Sequence, residues 1–326
     1  MVRFGVVGTN MITEKLLEAA AQVQGFQLTA VYSRTEEKAN SFADRYNAAY
    51  RFTNLEEMAA SDTLDAVYIA TPNTLHAQQA ELFLRNGKHV LCEKPLAANR
   101  AEVSRMIETA RKHDVLLMEA MKSTLVPVFK SVQQHLHKIG PVRQYIAGYS
   151  QYSSRYDKYK EGIVLNAFKP ELANGALMDL GVYCLYPLIT LFGAPQQVQS
   201  QATMLESGVD GQGSVLLKYD GMNAVVTYSK IANSHAPSEI IGERGSIMID
   251  RIGSPEYAEI RYNDGTVEPL TVEQQHPVMY YEMEEFVNLV QQGRKESAMN
   301  TYERSYQTMQ VMDQIRQQIG LVFPND

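Results

Sequence analysis

The sequence has little cysteine, no excess of positive charge and no long apolar run. Its two cysteines, Cys92 and Cys184, lie in apolar stretches, so we expect buried core residues and no disulfide framework. The formal net charge of −7 disfavours electrostatic binding of nucleic acid, which usually needs a basic face. No apolar run approaches the roughly eighteen residues of a membrane span. We therefore expect neither nucleic acid nor a membrane as a partner.

Two further features are missing. Residues 1–5 lead directly into a predicted strand, which leaves no room for a cleavable signal and predicts a cytoplasmic protein. His135 and His137 have no carboxylate or cysteine companions at the spacing of a metal site. We therefore predict no metal.

The first part of the chain alternates between strand and helix patterns. The 326 residues, 45% apolar and 21% charged, are enough for two domains of an ordinary globular enzyme. Helices are predicted after the N-caps Thr35 and Asn99, and a buried strand is predicted before Thr71. This alternation predicts an α/β domain over residues 1–121, with a doubly wound parallel sheet.

The pattern changes at about Pro141. Strands then follow one another, with hairpin signals at Asp220-Gly221 and Asn263-Asp264-Gly265. We therefore expect residues 122–326 to form an α+β domain with a large, mostly antiparallel sheet. One face of that sheet can pack on helices, and the other can join subunits into a homodimer or homotetramer.

The turn after the first strand is a candidate phosphate-binding site. The usual fingerprint of a dinucleotide-binding Rossmann domain is G-x-G-x-x-G/A, and this chain keeps only its first glycine, Gly8. Asn10 replaces the second; asparagine is the best non-glycine substitute there, because it tolerates left-handed dihedrals and its amide could donate to a phosphate. The predicted contacts are Gly8, Thr9, Asn10, Met11 and Ile12. An ordinary strand–turn–helix is the alternative reading.

The end of the second strand bears on the choice of cofactor. NAD sites usually place a carboxylate there, whereas this chain has Ser33 and Arg34. A hydroxyl and a guanidinium suit a 2′-phosphate, so NADP(H) is favoured over NAD(H), which stays possible. A solvated surface arginine is the alternative.

Two motifs carry the candidate chemistry. Lys94, within Glu93-Lys94-Pro95, follows a buried strand at the carboxyl edge of the predicted parallel sheet, where such folds bind ligands. Asp179 and Tyr183 are four residues apart and share one face if that segment is helical. Lys94 can stabilise an alkoxide, Tyr183 can donate or accept a proton, and Asp179 can orient the lysine or accept from a substrate hydroxyl. The alternatives are a solvated turn and ordinary core residues.

At these residues the chain resembles the glucose–fructose oxidoreductase / inositol dehydrogenase (Gfo/Idh/MocA) family. The likeness runs essentially end to end. It includes the glycine turn, Ala70-Thr71-Pro72-Asn73 with His76, Glu93-Lys94-Pro95, and residues 175–183. Asp179 is followed by Tyr183, where the inositol dehydrogenase branch carries histidine. In this the chain resembles dimeric dihydrodiol dehydrogenases and glucose–fructose oxidoreductase.

The resemblance implies an NAD(P)-dependent oxidoreductase that acts on a sugar, polyol or diol. It also implies a cis Lys94–Pro95 bond and an oligomer formed through the C-terminal sheet. We therefore add Thr71, Pro72, Asn73, His76, Glu93 and Lys94 to the predicted cofactor-binding residues.

Two other hypotheses are consistent with the sequence. One is a cofactor-binding regulator without turnover, which would have no need of a proton-transfer set such as Lys94, Asp179 and Tyr183. The other is an oligomeric scaffold with a vestigial nucleotide site, suggested by Asn10 and Thr13.

Overall fold

The chain folds into two units. The structure is a computed structural model that describes residues 1–270 and 272–326. The first unit contains Met1–Lys122 and His276–Ser305, and the second contains Ser123–Gln275 and Tyr306–Asp326. The sequence-based division at residue 121 assigned the whole C-terminal part to the second domain. The structure instead returns His276–Ser305 to the first unit.

The first unit is built on a six-stranded parallel sheet. Its strands are β1 (Val2–Val7), β2 (Phe26–Tyr32), β3 (Tyr50–Phe52), β4 (Ala66–Ile69), β5 (His89–Glu93) and β6 (Leu117–Ala120). They lie in the order β3-β2-β1-β4-β5-β6, with parallel pairing throughout. This confirms the predicted doubly wound sheet. The order reverses between β1 and β4, and ligands bind at such a switch point.

Helices accompany these strands. They are α1 (Met11–Ala20), α2 (Glu36–Tyr46), α3 (Leu55–Ala60), α4 (Asn73–Arg85) and α5 (Arg100–Lys112). The predicted caps are confirmed, because Thr35 Oγ1 accepts from Lys38 N and Asn99 Oδ1 accepts from Glu102 N. The short elements β3 and α3 were not predicted.

A later helix completes this unit. It is α9 (Val278–Gln291), which carries the buried Phe286. The Phe286 ring lies 5.5 Å from the ring of Phe4 in β1. Burial of this apolar face accounts for the return of the chain to the first unit.

The second unit is built on an eight-stranded sheet. Its strands are β7 (Val142–Ser150), β8 (Gln197–Met204), β9 (Asp210–Lys218), β10 (Asn223–Ser229), β11 (Ser238–Gly242), β12 (Gly245–Ile249), β13 (Ala258–Tyr262) and β14 (Val267–Pro269). Their order is β14-β13-β12-β11-β7-β10-β9-β8. β7 and β10 pair in parallel, and the other neighbours pair antiparallel. The predicted mostly antiparallel sheet is confirmed.

Helices accompany this sheet. They include α6 (Pro127–His135), α7 (Tyr156–Lys160) and α8 (Val182–Phe192), and α10 (Tyr302–Ile319) crosses the boundary between the units. Tyr145 in β7 donates its hydroxyl to Cys184 O at 3.0 Å, and its ring lies 6.3 Å from that of Phe192. These contacts join β7 to α8.

The segment Pro170–Phe192 has the length and apolar composition of a membrane span. However, 83% of its most apolar window is buried inside the fold. The sequence-based statement that no apolar run approaches a membrane span therefore needs qualification for this segment. Its burial identifies it as a core helix.

Candidate active site

The turn after β1 depends on its one glycine. Gly8 has φ +108°, and a Cβ at this position would lie 2.6 Å from Ala70 O. Only glycine adopts that backbone conformation readily, and the close approach to the end of β4 leaves no space for a side chain. The turn leads into the N-terminus of α1, as in dinucleotide-binding sheets. The residues in this turn therefore fit a dinucleotide pyrophosphate.

Asn10 does not have the role predicted for it. Its φ of −102° is extended and not left-handed, and its Nδ2 donates to Ala70 O at 2.6 Å instead of pointing to a phosphate. Its Oδ1 accepts from Ile12 N at 3.1 Å and Thr13 N at 3.2 Å. Asn10 is thus the N-cap of α1, a position that favours extended backbone.

Thr13 also has a structural role in this turn. The side chain is fully buried, and its hydroxyl donates to Gly8 O at 2.8 Å. The bonds of Asn10 and Thr13 therefore hold the turn where the usual fingerprint has small residues.

Ser33 and Arg34 follow β2, beside the same turn in the sheet order. Ser33 is buried, with its amide donating to Phe52 O at 3.1 Å, whereas Arg34 is exposed. An exposed guanidinium at this strand end is accessible to a phosphate. The position is compatible with the predicted 2′-phosphate contact, which stays a prediction.

Lys94 lies in a segment whose backbone is held by two buried carboxyls. Glu93 Oε2 accepts from Lys94 N at 3.2 Å, and Glu119 Oε1 accepts from Leu96 N at 3.0 Å. Tyr68 donates its hydroxyl to Glu93 Oε1 at 2.5 Å. The Lys94–Pro95 bond is cis, as the family resemblance implied. These bonds fix the position of the lysine backbone at the end of β5.

His76 links this segment to the end of β4. Its ring is fully buried, with Nδ1 3.0 Å from Pro95 O and Nε2 2.9 Å from Thr71 O. Burial lowers the pKa of His76, which favours a neutral ring that donates to one of the two carbonyls. His76, Thr71 and Lys94 are therefore brought together at one edge of the sheet. Pro72 is the residue that precedes α4, and Asn73 begins that helix.

Several buried ionisable groups of the first unit interact with one another and with Lys94. Burial raises the pKa of Glu93, and it raises the pKa of Glu119 to about 7. Burial, followed by the charge of Glu93, raises the pKa of Glu282 well above its usual range. Burial lowers the pKa of Lys122 in the same region. In each of these groups burial therefore disfavours the charged form relative to water.

Asp179 and Tyr183 lie together in the second unit. Asp179 is within a π-helical turn, Leu177–Gly181, and Tyr183 is in the first turn of α8. The sequence predicted a shared helical face but not the wider turn. Single π turns within α-helices are frequent at functional sites.

A buried aspartate fixes the start of this helix. Asp210 accepts from Ala176 N at 3.1 Å and from Leu177 N at 2.7 Å. Gly175 precedes them with φ +146°, and a Cβ there would lie 2.1 Å from Asp210 Oδ1. Glycine at 175 therefore lets the carboxylate of Asp210 reach the helix N-terminus. Burial raises the pKa of Asp210 to about 6, although these hydrogen bonds oppose the shift.

Lys230 is a site residue that the sequence analysis missed. It follows β10, its side chain is only 4% exposed, and its Nζ lies 2.5 Å from Asp179 Oδ2. The side chain of Asp179 is 39% exposed, so the ion pair has a buried cation and an accessible carboxylate. The positive charge of Lys230 also lowers the pKa of Asp210, against the larger effect of burial. Nothing in the local sequence Ser229-Lys230-Ile231 distinguishes this lysine from a surface lysine.

The predicted catalytic residues are thus divided between the units. Lys94 lies in the first, and Asp179 and Tyr183 lie in the second. The predicted meeting of all three stays a prediction. In the second unit, the ring of Tyr149 lies 5.6 Å from that of Tyr183.

Comparison with known proteins identifies relatives across the whole chain. Residues 2–121 match an oxidoreductase family with an NAD-binding Rossmann fold, and residues 135–248 match the GFO/IDH/MocA C-terminal domain. The chain is 56% identical over 326 residues to the scyllo-inositol 2-dehydrogenase (NADP(+)) IolU of Bacillus subtilis (strain 168), covering 100% of this chain and 99% of that protein. It is 30% identical over 336 residues to the trans-1,2-dihydrobenzene-1,2-diol dehydrogenase of Xenopus tropicalis, covering 99% of each chain.

Solved structures give the same fold. The 3-ketoreductase KijD10 from Actinomadura kijaniata, in complex with NADP and TDP-benzene, has a TM-score of 0.84 at 25% identity and 98% coverage of both chains. The aldose-aldose oxidoreductase from Caulobacter crescentus has a TM-score of 0.85 at 22% identity, with 97% of each chain covered.

Replacing Glu119 with glutamine should change how stability depends on pH. The folded state raises the pKa of this carboxyl to about 7 from a usual 4.5, so the folded protein holds the proton more tightly. Its stabilising contribution is complete below about pH 4.5 and is lost as pH rises through 7. The unfolding free energy of wild type should therefore fall between pH 4.5 and 8 by about 3 kcal/mol more than that of Glu119→Gln, as measured by urea denaturation.

Glutamine keeps an oxygen that can accept from Leu96 N, and Glu18→Gln, on the exposed face of α1, is the matched control. Parallel pH curves for wild type and Glu119→Gln would contradict the assignment.

Proposed function

Since the chain belongs to the Gfo/Idh/MocA family of oxidoreductases, we propose that it interconverts a secondary alcohol of a polyol or diol and the corresponding ketone with NADP(H). The observation that carries this proposal is the 56% identity, over the full length, to an NADP-dependent scyllo-inositol 2-dehydrogenase. The similarity to dihydrodiol dehydrogenases extends the substrate class to vicinal diols. NAD(H) is the second cofactor to be tested.

The first unit would hold the cofactor. The pyrophosphate would lie at the turn of Gly8 and the N-terminus of α1, and the 2′-phosphate beside Ser33 and Arg34. The nicotinamide, when bound, supplies the acceptor or donor of hydride. The segment of Thr71, His76 and Lys94 lies at the same carboxyl edge of the sheet, where it can flank the ring.

The two units would provide the proton-handling groups together. In reduction, the Tyr183 hydroxyl would give its proton to the substrate oxygen and become a phenolate, and in oxidation that phenolate would take the hydroxyl proton back as the carbonyl forms. The ammonium of Lys94 stabilises negative charge on the same oxygen. Asp179 accepts a hydrogen bond from a neighbouring hydroxyl, and Lys230 holds its carboxylate in place. Lys230 is therefore a positioning residue in this scheme.

The outer face of the eight-stranded sheet supports the proposed homodimer or homotetramer. Apolar side chains on its strands are exposed, among them Leu216 at 56% and Val267 at 53%. A second copy of the sheet would cover them. Two buried cysteines without a disulfide are consistent with the proposed cytoplasmic location.

Replacing Tyr183 with phenylalanine tests the proton transfer. A general acid or base contributes about 10²–10⁴ in rate, so kcat with NADP+ and scyllo-inositol should fall at least about tenfold. The affinity for NADPH, measured by fluorescence titration, should not change. Tyr186→Phe, on the same helix, is the matched control. Wild-type turnover in Tyr183→Phe would disprove the assignment, and a wild type inactive on a broad polyol and diol panel would favour the regulator.

Replacing Arg34 with alanine tests the choice of cofactor. Loss of a charged contact to a 2′-phosphate should weaken NADP+ binding by roughly tenfold and leave NAD+ binding unchanged. Calorimetric titration of both cofactors measures the difference. Equal losses for NADP+ and NAD+ would count against the 2′-phosphate contact.

Replacing Lys230 with methionine tests the positioning role. Methionine fills similar space but leaves Asp179 without its cation, so kcat/KM should fall at least about tenfold. A carboxylate without its cation protonates more readily, so the acid limb of the pH profile of kcat/KM should move to higher pH. Lys230→Arg should restore both values in part. A fall in kcat/KM with an unmoved pH profile would mean that Lys230 serves stability alone.

A further inference from the structure

Strand direction gathers several loops at one edge of the eight-stranded sheet. β10 is parallel to β7, and β12 runs the same way because it is antiparallel to β11, which is antiparallel to β7. The chain leaves these strands at Ser150, Ser229 and Ile249. The loops that follow therefore lie at a common carboxyl edge. Lys230, which pairs with Asp179, is the first residue after β10.

A cavity of about 440 Å³ lies between these loops. Residues 148–151, 233–236 and 250–254 line it, all of them in the second unit. Its volume is within the range of small-ligand sites. Cavity-lining side chains that can exchange hydrogen bonds with hydroxyls include Gln151, Asn233, Ser234, His235 and Ser254.

One wall of the cavity continues to the proposed proton donor. Tyr149 lines the cavity, and its ring also packs against the ring of Tyr183. Gly253 lies against the same tyrosine, because a Cβ at this position would come within 2.6 Å of Tyr149 Cε1. A substrate whose reacting carbon lies at Tyr183 can therefore extend along Tyr149 into the cavity.

The charges of the cavity compensate one another. Arg251 Nη2 lies 2.6 Å from Glu256 Oε1, and its Nε lies 3.6 Å from Asp250 Oδ2. Asp250 Oδ1 in turn accepts from the amides of Glu256 and Tyr257. A phosphate would need a cation not already paired in this way. The lining therefore favours a neutral ligand with many hydroxyl groups.

We propose that this cavity is a subsite that binds the remote hydroxyls of a neutral, sugar-sized polyol. The inference deepens the proposed function and rests on it for the position of the reacting carbon. It assigns Gln151 and His235 to substrate specificity, apart from the chemistry of Tyr183. Phosphorylated polyols should bind less well than neutral ones.

The test compares two six-membered rings. The hydroxyls of scyllo-inositol can reach the cavity, whereas trans-1,2-cyclohexanediol lacks the four remote ones. His235→Ala should raise KM for scyllo-inositol by roughly three- to tenfold, with kcat little changed, because it removes one hydrogen bond that forms in both the ground state and the transition state. The KM for the diol should not change. Gln151→Ala should give the same pattern, and His137→Ala, an exposed histidine of the same unit, is the matched control.

Direct binding separates this inference from the proposed function. Calorimetric titration of scyllo-inositol and of myo-inositol 1-phosphate into wild type and His235→Ala, each saturated with NADPH, needs no turnover. Weaker inositol binding in His235→Ala supports the subsite even if wild type proves inactive, an outcome that would disprove the proposed function alone. Equal effects on both rings, no effect of either variant, or tighter binding of the phosphate would overturn the subsite.

Discussion

The buried ammonium of Lys230 is the constraint on which the second unit's part of the site depends. A lysine that is only 4% exposed needs a nearby negative charge, because an unpaired buried charge is strongly destabilising. Asp179 provides it at 2.5 Å, while the carboxylate remains partly accessible to a ligand. The same positive charge lowers the pKa of Asp210, which caps the helix that carries Asp179. One cation thus connects the orientation of a candidate reactive group with the start of its helix.

In the first unit, buried side chains support the backbone around Lys94. The segment of Lys94 has no regular structure after β5, so its backbone amides need partners from elsewhere. Glu93 and Glu119 accept from the amides of Lys94 and Leu96, and the ring of His76 contacts the carbonyl of Pro95. Both carboxyls are buried, and burial raises the pKa of each. The carboxyls that hold the backbone of the Lys94 segment are thus also groups whose pKa is shifted by burial.

The sequence was sufficient for the two sheets, the caps at Thr35 and Asn99, and the edge at which Lys94 lies, because these follow from periodicity and from short-range capping. The prediction for Asn10 was wrong, because the glycine fingerprint does not reveal that the Asn10 amide donates to Ala70 O. The sequence analysis missed Lys230, whose role arises from a contact 51 positions away in the chain. It also missed the π turn at Leu177–Gly181 and the return of α9, which depend on tertiary packing.

The bonds that Asn10 and Thr13 make around the first turn have a consequence for how a nucleotide is received. Asn10 ties the turn to the end of β4, and Thr13 ties it to Gly8, so the loop is ordered by its own side chains. Ordering of a loop by its ligand reduces affinity by the lost conformational entropy, and a pre-ordered loop avoids this loss. Restoring glycine at position 10 would remove both the bond of the Asn10 amide to Ala70 O and the cap that its Oδ1 provides for α1. A glycine at position 10 would match the consensus pattern more closely, but it would leave the turn less ordered before the nucleotide binds.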